Sequence, residues 1–357
     1  MKNMRTILGI VTGSLVACAA QAQVEVTITG STAFRSITID RSAYLFDAGY
    51  TAVTNDAANG LITFRGTATT RIPSLGSTPV TLRLSFSGSG SGMLAVKNST
   101  PVSTADSAGV NVNKTPDLAL SDVWPGAASP PIADSAFNRS VLGVIPFVYV
   151  RNNALTGITN ITKEQANLLM TASGSISGID GMPATFLGGV STSPVYMTGR
   201  DSGSGTRITV HKDIGFNSTP LLWTTNVGDG AWIQTAGLSS GGIERGVIAV
   251  KNNAIGYLGL ADYASIAAYA TTIAYHGVAY TEPAVANGAY ALWGYEHIVN
   301  RAGGLSSNQQ AVRNAFIAAV TDIGYQSTAI YTNSFVRLNQ MNVERGTDGG
   351  PITSLNF

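Results

Sequence analysis

A short glycine- and serine-rich segment constrains this chain more than any other feature. It reads Arg-Asp-Ser-Gly-Ser-Gly-Thr-Arg over residues 200–207, after the strand-like residues 194–198 and before a helix-like stretch. Small residues at a helix start let several backbone N–H groups converge on one oxyanion, and the positive end of the helix adds to the attraction. The hydroxyls of Ser204 and Thr206 and the guanidinium of Arg200 are further donors. The segment therefore predicts an anion-binding turn, with a purely structural glycine turn as the alternative.

The N-terminus has the pattern of a secretory signal peptide. Lys2 and Arg5 precede an apolar stretch over residues 7–17, and the small residues at 20–22 offer a cleavage site before Gln23. We expect residues 1–22 to be removed. Residues 15–18 also resemble a bacterial lipobox, which would leave Cys18 as a lipid anchor. Either route predicts a periplasmic or cell-envelope location.

Composition narrows the class of protein further. Cys18 is the only cysteine, so a conventional core must hold the roughly 335 mature residues, which suffice for two domains. Loss of Lys2 and Arg5 leaves a nearly neutral chain, which lacks the basic field of a nucleic-acid-binding protein. After the signal there is no apolar run of the ~20 residues that a membrane helix needs. The three histidines are widely spaced, and we expect no metal and no cofactor.

Three further strand-like stretches end in small hydroxyl residues or an acid. Residues 24–29 lead into Gly30-Ser31-Thr32, and residues 80–86 lead into a Gly/Ser turn over 87–92. Residues 117–123 carry Ser121-Asp122 at the end of a short strand. Ligands of open α/β sheets bind beyond the carboxyl ends of strands, so the four loops are predicted to converge on one site. Taken singly, the first loop could be a helix N-cap, the second a flexible turn and Asp122 a surface cap.

The order of these motifs resembles the periplasmic phosphate-binding proteins of ABC importers, over nearly the whole mature chain. The resemblance includes the segment Ala254–Gly259, which is similar to the family's returning segment near the second crossover. It implies the α/β fold of a type II periplasmic binding protein, in which two lobes, each a mixed sheet flanked by helices, are joined by two crossover segments. Lobe one would comprise residues 24–145 plus 261–357, and lobe two residues 146–260.

The resemblance also implies residue roles and partners. The phosphate ligands would be Ser31, Thr32, Ser89, Ser91, Asp122, Arg200, Ser204, Gly205 and Thr206. Arg200 would serve both the anion and Asp122. A carboxylate repels an anion unless the anion carries a proton, so Asp122 would favour hydrogen-bearing phosphate over sulfate. The expected function is capture of phosphate in an interlobe cleft, without catalysis, by a monomer that delivers it to an ABC permease.

Two departures and two rival functions accompany this resemblance. The chain has extra segments around residues 52–77 and 99–115, the first with an expected hairpin, and they could shield the cleft or bind another partner. An envelope structural or adhesive protein on the same scaffold is the first rival. A secreted phosphatase or hydrolase is the second, and it would need Ser204 activated by a base such as His211.

Overall fold

The computed structural model describes residues 23–56, 61–172 and 181–355. The expected signal peptide and Cys18 lie outside these residues. The strands are β1 Val24–Gly30, β2 Thr51–Asp56, β3 Leu61–Gly66, β4 Val80–Leu84, β5 Val102–Ala105, β6 Asn111–Lys114, β7 Leu118–Ser121, β8 Phe137–Asn152, β9 Asn160–Ile161, β10 Met182–Pro183, β11 Pro194–Met197, β12 Leu222–Thr225, β13 Trp232–Thr235, β14 Ala254–Gly259, β15 Ala270–Tyr275, β16 Trp293–Arg301, β17 Val343–Glu344 and β18 Thr353–Ser354. The helices are α1 Arg35–Tyr44, α2 Ser89–Asn98, α3 Lys163–Ala172, α4 Gly205–Asp213, α5 Gly241–Val250, α6 Leu260–Ala264, α7 Glu282–Ala286, α8 Ser307–Thr321, α9 Ile323–Gln326 and α10 Ala329–Thr332.

The long strand β8 belongs to two sheets. Its first part pairs with β16, and the sheet continues in the order β16-β7-β1-β4-β3-β2. Its second part pairs with β14 on one side and β15 on the other, in a sheet of order β10-β11-β14-β8-β15-β9. Both sheets mix parallel and antiparallel pairs, and helices flank them. The expected two-lobed α/β fold is confirmed.

The apolar run predicted as a strand forms the centre of β8. All residues from Leu142 to Val150 are buried. A strand with an uninterrupted apolar sequence needs cover on both faces, which is how strands inside α/β layers are placed. Helix α8 packs near the first part of β8, and α5 and α6 pack near its second part.

The predicted loops follow the carboxyl ends of their strands. Strand β1 pairs in parallel with both β4 and β7, so the ends of these three strands lie at one edge of the first sheet. Helices α1 and α2 begin shortly after β1 and β4, and α4 begins after β11. The strand-turn-helix units predicted from the sequence are therefore confirmed.

The pairing of β15 bears on the division into lobes. Its residues Ala270–Ile273 pair with the second part of β8, although the expected division assigns them to lobe one. The chain rejoins the first sheet where Trp293 pairs with Pro146. The lobe boundaries stay a proposal, and this pairing favours a second crossing just before Trp293.

The extra segments pack together at the outer side of the first sheet. Strands β2 and β3 form the expected hairpin, with residues 57–60 outside the described ranges, and β5 and β6 form a second hairpin. The Thr63 hydroxyl donates to the Ala105 carbonyl over 2.5 Å, which ties β3 to β5. Because β2 is the edge strand of this sheet, the hairpins extend it on the side away from β7 and β16.

Candidate anion site

Asp122 lies at the meeting point of three predicted loops. Its Oδ1 atom accepts a hydrogen bond from the Ser89 hydroxyl, and its backbone N–H donates to Ser89 Oγ over 3.3 Å. The Thr206 side chain also bonds to the carboxyl group. Asp122 is buried, so these contacts replace solvent for a group that is costly to leave unpaired.

Two helix N-termini meet at the same carboxyl group. Ser89 is the first residue of α2, and Gly205 is the first residue of α4. A β carbon on Gly205 would stand 1.6 Å from Asp122 Oδ1 and 2.7 Å from Ser89 Oγ, so only glycine allows this approach. The positive ends of both helices favour a negatively charged oxygen here.

The first loop makes a sharp turn into this site. Gly30 has a φ of 112°, and a β carbon on it would stand 2.1 Å from the Leu120 carbonyl oxygen. The N–H of Ser31 donates to that oxygen over 2.8 Å. The Ser31 side chain is buried, with its Oγ 3.3 Å from Glu296 Oε2. The Ser31 side chain therefore lies at the buried base of the first loop, between that loop and Glu296.

Arg200 connects the loops that follow β11 and β1. Its Nη2 donates to Thr32 Oγ1 over 3.2 Å and to the Ser239 carbonyl over 3.1 Å. Its Nε donates to the Leu238 carbonyl over 3.1 Å. Because the guanidinium is planar, these bonds fix its orientation.

The remaining predicted residues have less direct positions. Ser204 is the N-cap of α4, and its Oγ accepts the N–H of Arg207 over 3.4 Å. The Ser91 side chain lies against Gly203. The neighbouring Gly90 N–H donates a hydrogen bond to the Gly203 carbonyl over 3.0 Å. The structure thus brings Ser89, and not Ser91, to Asp122. The Gly90–Gly203 hydrogen bond also joins the loop after β4 in the first sheet directly to the loop after β11 in the second.

Arg207 is directed at backbone rather than at the anion site. Its Nη1 donates to the carbonyls of Arg200 and Ala236, over 3.0 and 2.9 Å. Arg207 therefore stabilises the backbone at Arg200 and at Ala236.

Three buried acids near the site were missed by the sequence reasoning. Burial raises the pKa of Glu296 well above its ordinary value, and the nearby charge of Asp122 raises it further. Burial raises the pKa of Asp348 to about 7, and its Oδ2 accepts the Trp124 N–H over 2.8 Å. Burial also raises the pKa of Glu244 to about 8, although Arg200 opposes that shift. Glu296 is the only acid in β16, which was an available signal, but nothing local marked the other two.

The pKa of Asp122 is raised as well. Burial is the largest cause, and the hydrogen bonds from Ser89 and Thr206 and the charge of Arg200 act in the opposite direction. These donors stabilise the ionised Asp122 carboxylate, whereas a negative charge on the nearby acids Glu296 and Asp348 would destabilise it. The protonation of the site is therefore sensitive to each of these neighbours.

A cavity of about 280 Å³ reaches the first loop. It is lined by Thr32 and Arg35 from the first loop and α1 and by Gly242, Arg245 and Asp262 from α5 and α6. The opening therefore lies between elements of the two sheets.

Within the described part of the chain, the contacts of Ser204 and His211 do not assemble a hydrolase triad. Burial lowers the pKa of His211 to about 3, with Arg207 contributing, and its ring packs edge-on against Phe216. The Ser204 hydroxyl is engaged at the helix start instead. Across residues 23–56, 61–172 and 181–355 there is no His, Cys, Asp and Glu group suited to a metal ion. None of the described helices has the length and apolar character to cross a membrane.

The chain has the fold of the two-lobed periplasmic substrate-binding proteins. A phosphate ABC transporter substrate-binding protein from Clostridium perfringens, solved with bound phosphate and described as putative, matches with a TM-score of 0.57 and 15% identity, over 88% of this chain and 99% of that one. A phosphate transport receptor of the ABC type from Vibrio cholerae matches with a TM-score of 0.54 and 16% identity, over 87% and 99%. A high-affinity periplasmic phosphate-binding protein solved with phosphate matches with a TM-score of 0.50 and 14% identity, over 88% and 91%.

These similarities concern the fold. No protein-family model matches the sequence, and no curated protein matches it. What the chain binds therefore has to be argued from the side chains of the site.

Proposed function

We propose that this protein captures phosphate, as a hydrogen-bearing tetrahedral oxyanion, in the cleft between its lobes. The observation that carries the proposal is the convergence of Ser89, Gly205 and Thr206 on the carboxyl group of Asp122. Hydroxyl donors and two helix N-termini at one buried point are what an oxyanion oxygen needs. The Arg200 guanidinium and the Thr32 hydroxyl, which are hydrogen-bonded to each other, supply further donors for the proposed anion.

The chemistry of Asp122 selects the ligand class. An ionised carboxylate accepts hydrogen bonds and repels another anion, so a bound oxyanion must bring a proton to share. Monohydrogen and dihydrogen phosphate carry such a proton, whereas sulfate is fully deprotonated near neutral pH. Phosphate is favoured for this reason, and arsenate is its chemical mimic.

Capture would work by closure of the two lobes without any covalent step. The Gly90–Gly203 hydrogen bond and the Arg200–Thr32 hydrogen bond each join a loop of one sheet to a loop of the other. A ligand held by donors from both sides binds the closed state more tightly than the open state, and so shifts the population toward it. The solved phosphate-binding proteins with this fold support the same use of the cleft.

The transport partner and location belong to the same proposal. The N-terminal signal pattern supports an extracytoplasmic location for the proposed monomer. The transport roles of the structural neighbours support an ABC permease as the recipient of the phosphate. The binding contacts give no support to the hydrolase alternative, because Ser204 caps a helix and lacks a base among its described contacts.

Calorimetry on the mature protein, unfolded and refolded to remove carried-over anion, tests the proposal. We expect phosphate to bind, arsenate to compete and sulfate to fail to displace it. The control is Gly246→Ala, at an exposed position of α5 where a β carbon meets nothing within 4 Å. A well-folded sample that binds none of the three anions would contradict the proposal.

A further inference from the structure

Glu296 is a buried acid directly behind the first anion loop. It lies in β16 at an irregularity in the pairing with β8, where the register shifts between Glu296 and His297. The residue is fully buried, and its Oε2 is 3.3 Å from Ser31 Oγ. Its Oε1 is also buried and has no hydrogen-bond partner among the described residues. A carboxyl group in such a place is not explained by core packing alone.

The contacts of Ser31 limit what its hydroxyl can do. A serine hydroxyl has one hydrogen to donate and two lone pairs that accept. One lone pair accepts the Phe34 N–H over 3.3 Å, at the start of α1. The hydrogen and the second lone pair therefore remain for Glu296 and for a bound oxyanion.

We propose that Glu296 is a positioning residue that sets the direction in which Ser31 donates. Neutral Glu296 donates its proton to the free lone pair of Ser31, which leaves the hydroxyl hydrogen of Ser31 for a bound oxyanion. Ionised Glu296 can only accept, so it takes that hydrogen and presents a serine lone pair to the anion. This inference rests on the proposed function and on the role predicted from the sequence for Ser31 as one of the donors to phosphate.

The surroundings of Glu296 favour its neutral form. The titratable groups that face it from neighbouring elements are the carboxyl group of Asp122, after β7, and the phenol of Tyr331, in α10, and both are acids. Burial is the largest cause of its raised pKa and Asp122 adds to it, while hydrogen bonds with the Ser31 side chain and the Ser121 backbone oppose it. The competent form carries a proton, so phosphate binding must weaken as pH rises through this raised pKa.

The variant Glu296→Gln tests the inference. Its amide donates to Ser31 at every pH and cannot ionise, so it reproduces the neutral carboxyl group. Phosphate affinity of both proteins would be measured by calorimetry from about pH 5.5 to about pH 9.5. The titration of phosphate and of Asp122 is present in both, so we compare the ratio of the two dissociation constants. Above the pKa of Glu296, the wild-type dissociation constant should rise relative to that of Glu296→Gln by up to about tenfold for each pH unit, because one proton is linked to binding.

Two further measurements keep the inference separate from the proposed function. Ser31→Ala retains Glu296 but removes the group through which it acts, so its affinity should be lower and should lose the extra pH dependence. Infrared difference spectra of wild type against Glu296→Gln, without phosphate, report whether the carboxyl group is protonated at neutral pH. We expect a carboxylic acid band that only the wild type shows.

Parallel pH profiles for wild type and Glu296→Gln would overturn the inference while leaving phosphate binding intact. An ionised Glu296 at neutral pH in the infrared spectra would also overturn it. If Glu296→Gln fails to fold, a pH profile of Ser31→Ala that parallels the wild-type profile would overturn it. Absence of phosphate binding at every pH would instead overturn the proposed function, and with it the role of Ser31 as a donor.

Discussion

The Oδ1 atom of Asp122 lies directly against the α carbon of Gly205, at the first residue of α4. A β carbon on Gly205 would stand 1.6 Å from that oxygen. Asp122 follows a strand of the first sheet and Gly205 follows a strand of the second, so this contact joins the two halves of the fold at the proposed anion site.

Substitution of Gly205 by Ala should therefore separate the two loops. The new methyl group has to displace either the Asp122 carboxyl group or the start of α4, and overpacking of this kind costs roughly 1–3 kcal/mol of folding free energy. We expect phosphate binding to weaken at least tenfold. Calorimetry and urea unfolding measure the two effects.

Gly246→Ala is the matched control for that variant, because its β carbon meets no atom within 4 Å. Replacement of glycine at this exposed position inside a helix should stabilise the protein by about 0.5–1 kcal/mol and leave phosphate affinity unchanged. Equal behaviour of the two alanine variants would show that the contact with Asp122 is unimportant.

Arg200→Lys should cost more phosphate affinity than Ser89→Ala or Ser204→Ala. Lysine keeps the charge but loses the planar fork that bonds Thr32, Leu238 and Ser239. A charge-assisted hydrogen bond to the bound anion that lysine cannot replace would cost about 1.5–3 kcal/mol, or roughly 10- to 100-fold in affinity. Titration calorimetry ranks the three variants, and a larger loss in either serine variant would argue against a central role for Arg200.

Asp122→Asn should weaken the discrimination between phosphate and sulfate. The amide can donate to an oxyanion, so sulfate would no longer face an obligatory acceptor. The wild type should show a related effect with pH. The pKa of Asp122 is raised, so as pH falls through it the group becomes a neutral donor and sulfate competes better. Competition calorimetry at several pH values measures both effects, and unchanged selectivity in Asp122→Asn would refute the assigned role.

Glu244→Gln should change the dependence of stability on pH. Burial raises the pKa of Glu244 to about 8, so the folded state holds a proton that the unfolded chain releases at lower pH. In the wild type this lowers the free energy of unfolding as pH rises from about 4.5 to about 8, by about 1.4 kcal/mol for each pH unit inside that window. The variant lacks this loss and should gain stability relative to wild type over the same window.

Urea unfolding of both proteins at the two ends of the window measures this difference. Gln keeps an acceptor for the Tyr257 N–H, which bonds Glu244 Oε1 over 3.1 Å. A stability difference that does not vary with pH would mean that Glu244 ionises normally in the folded protein.

Local signals were enough for the strands and the loops of the site. The apolar centre of β8 and the glycine turn before α4 follow from residues that are neighbours in the chain, and both were predictable. The choice of Ser89 over Ser91 was not, because the repeated Gly-Ser pattern fits either register. Packing of α2 against β7 decides it, since it brings Ser89 to Asp122.

The class of fold and the four loops follow from the amino-acid sequence alone, because strand periodicity, helix starts and glycine turns are properties of short segments. The placement of β15 in the second sheet and the burial of Glu296 behind Ser31 depend instead on long-range packing. The two partners in that last contact are 265 positions apart in the chain. Such contacts, and the pKa shifts that burial causes, depend on which strands pair at long range, and no local pattern encodes that choice.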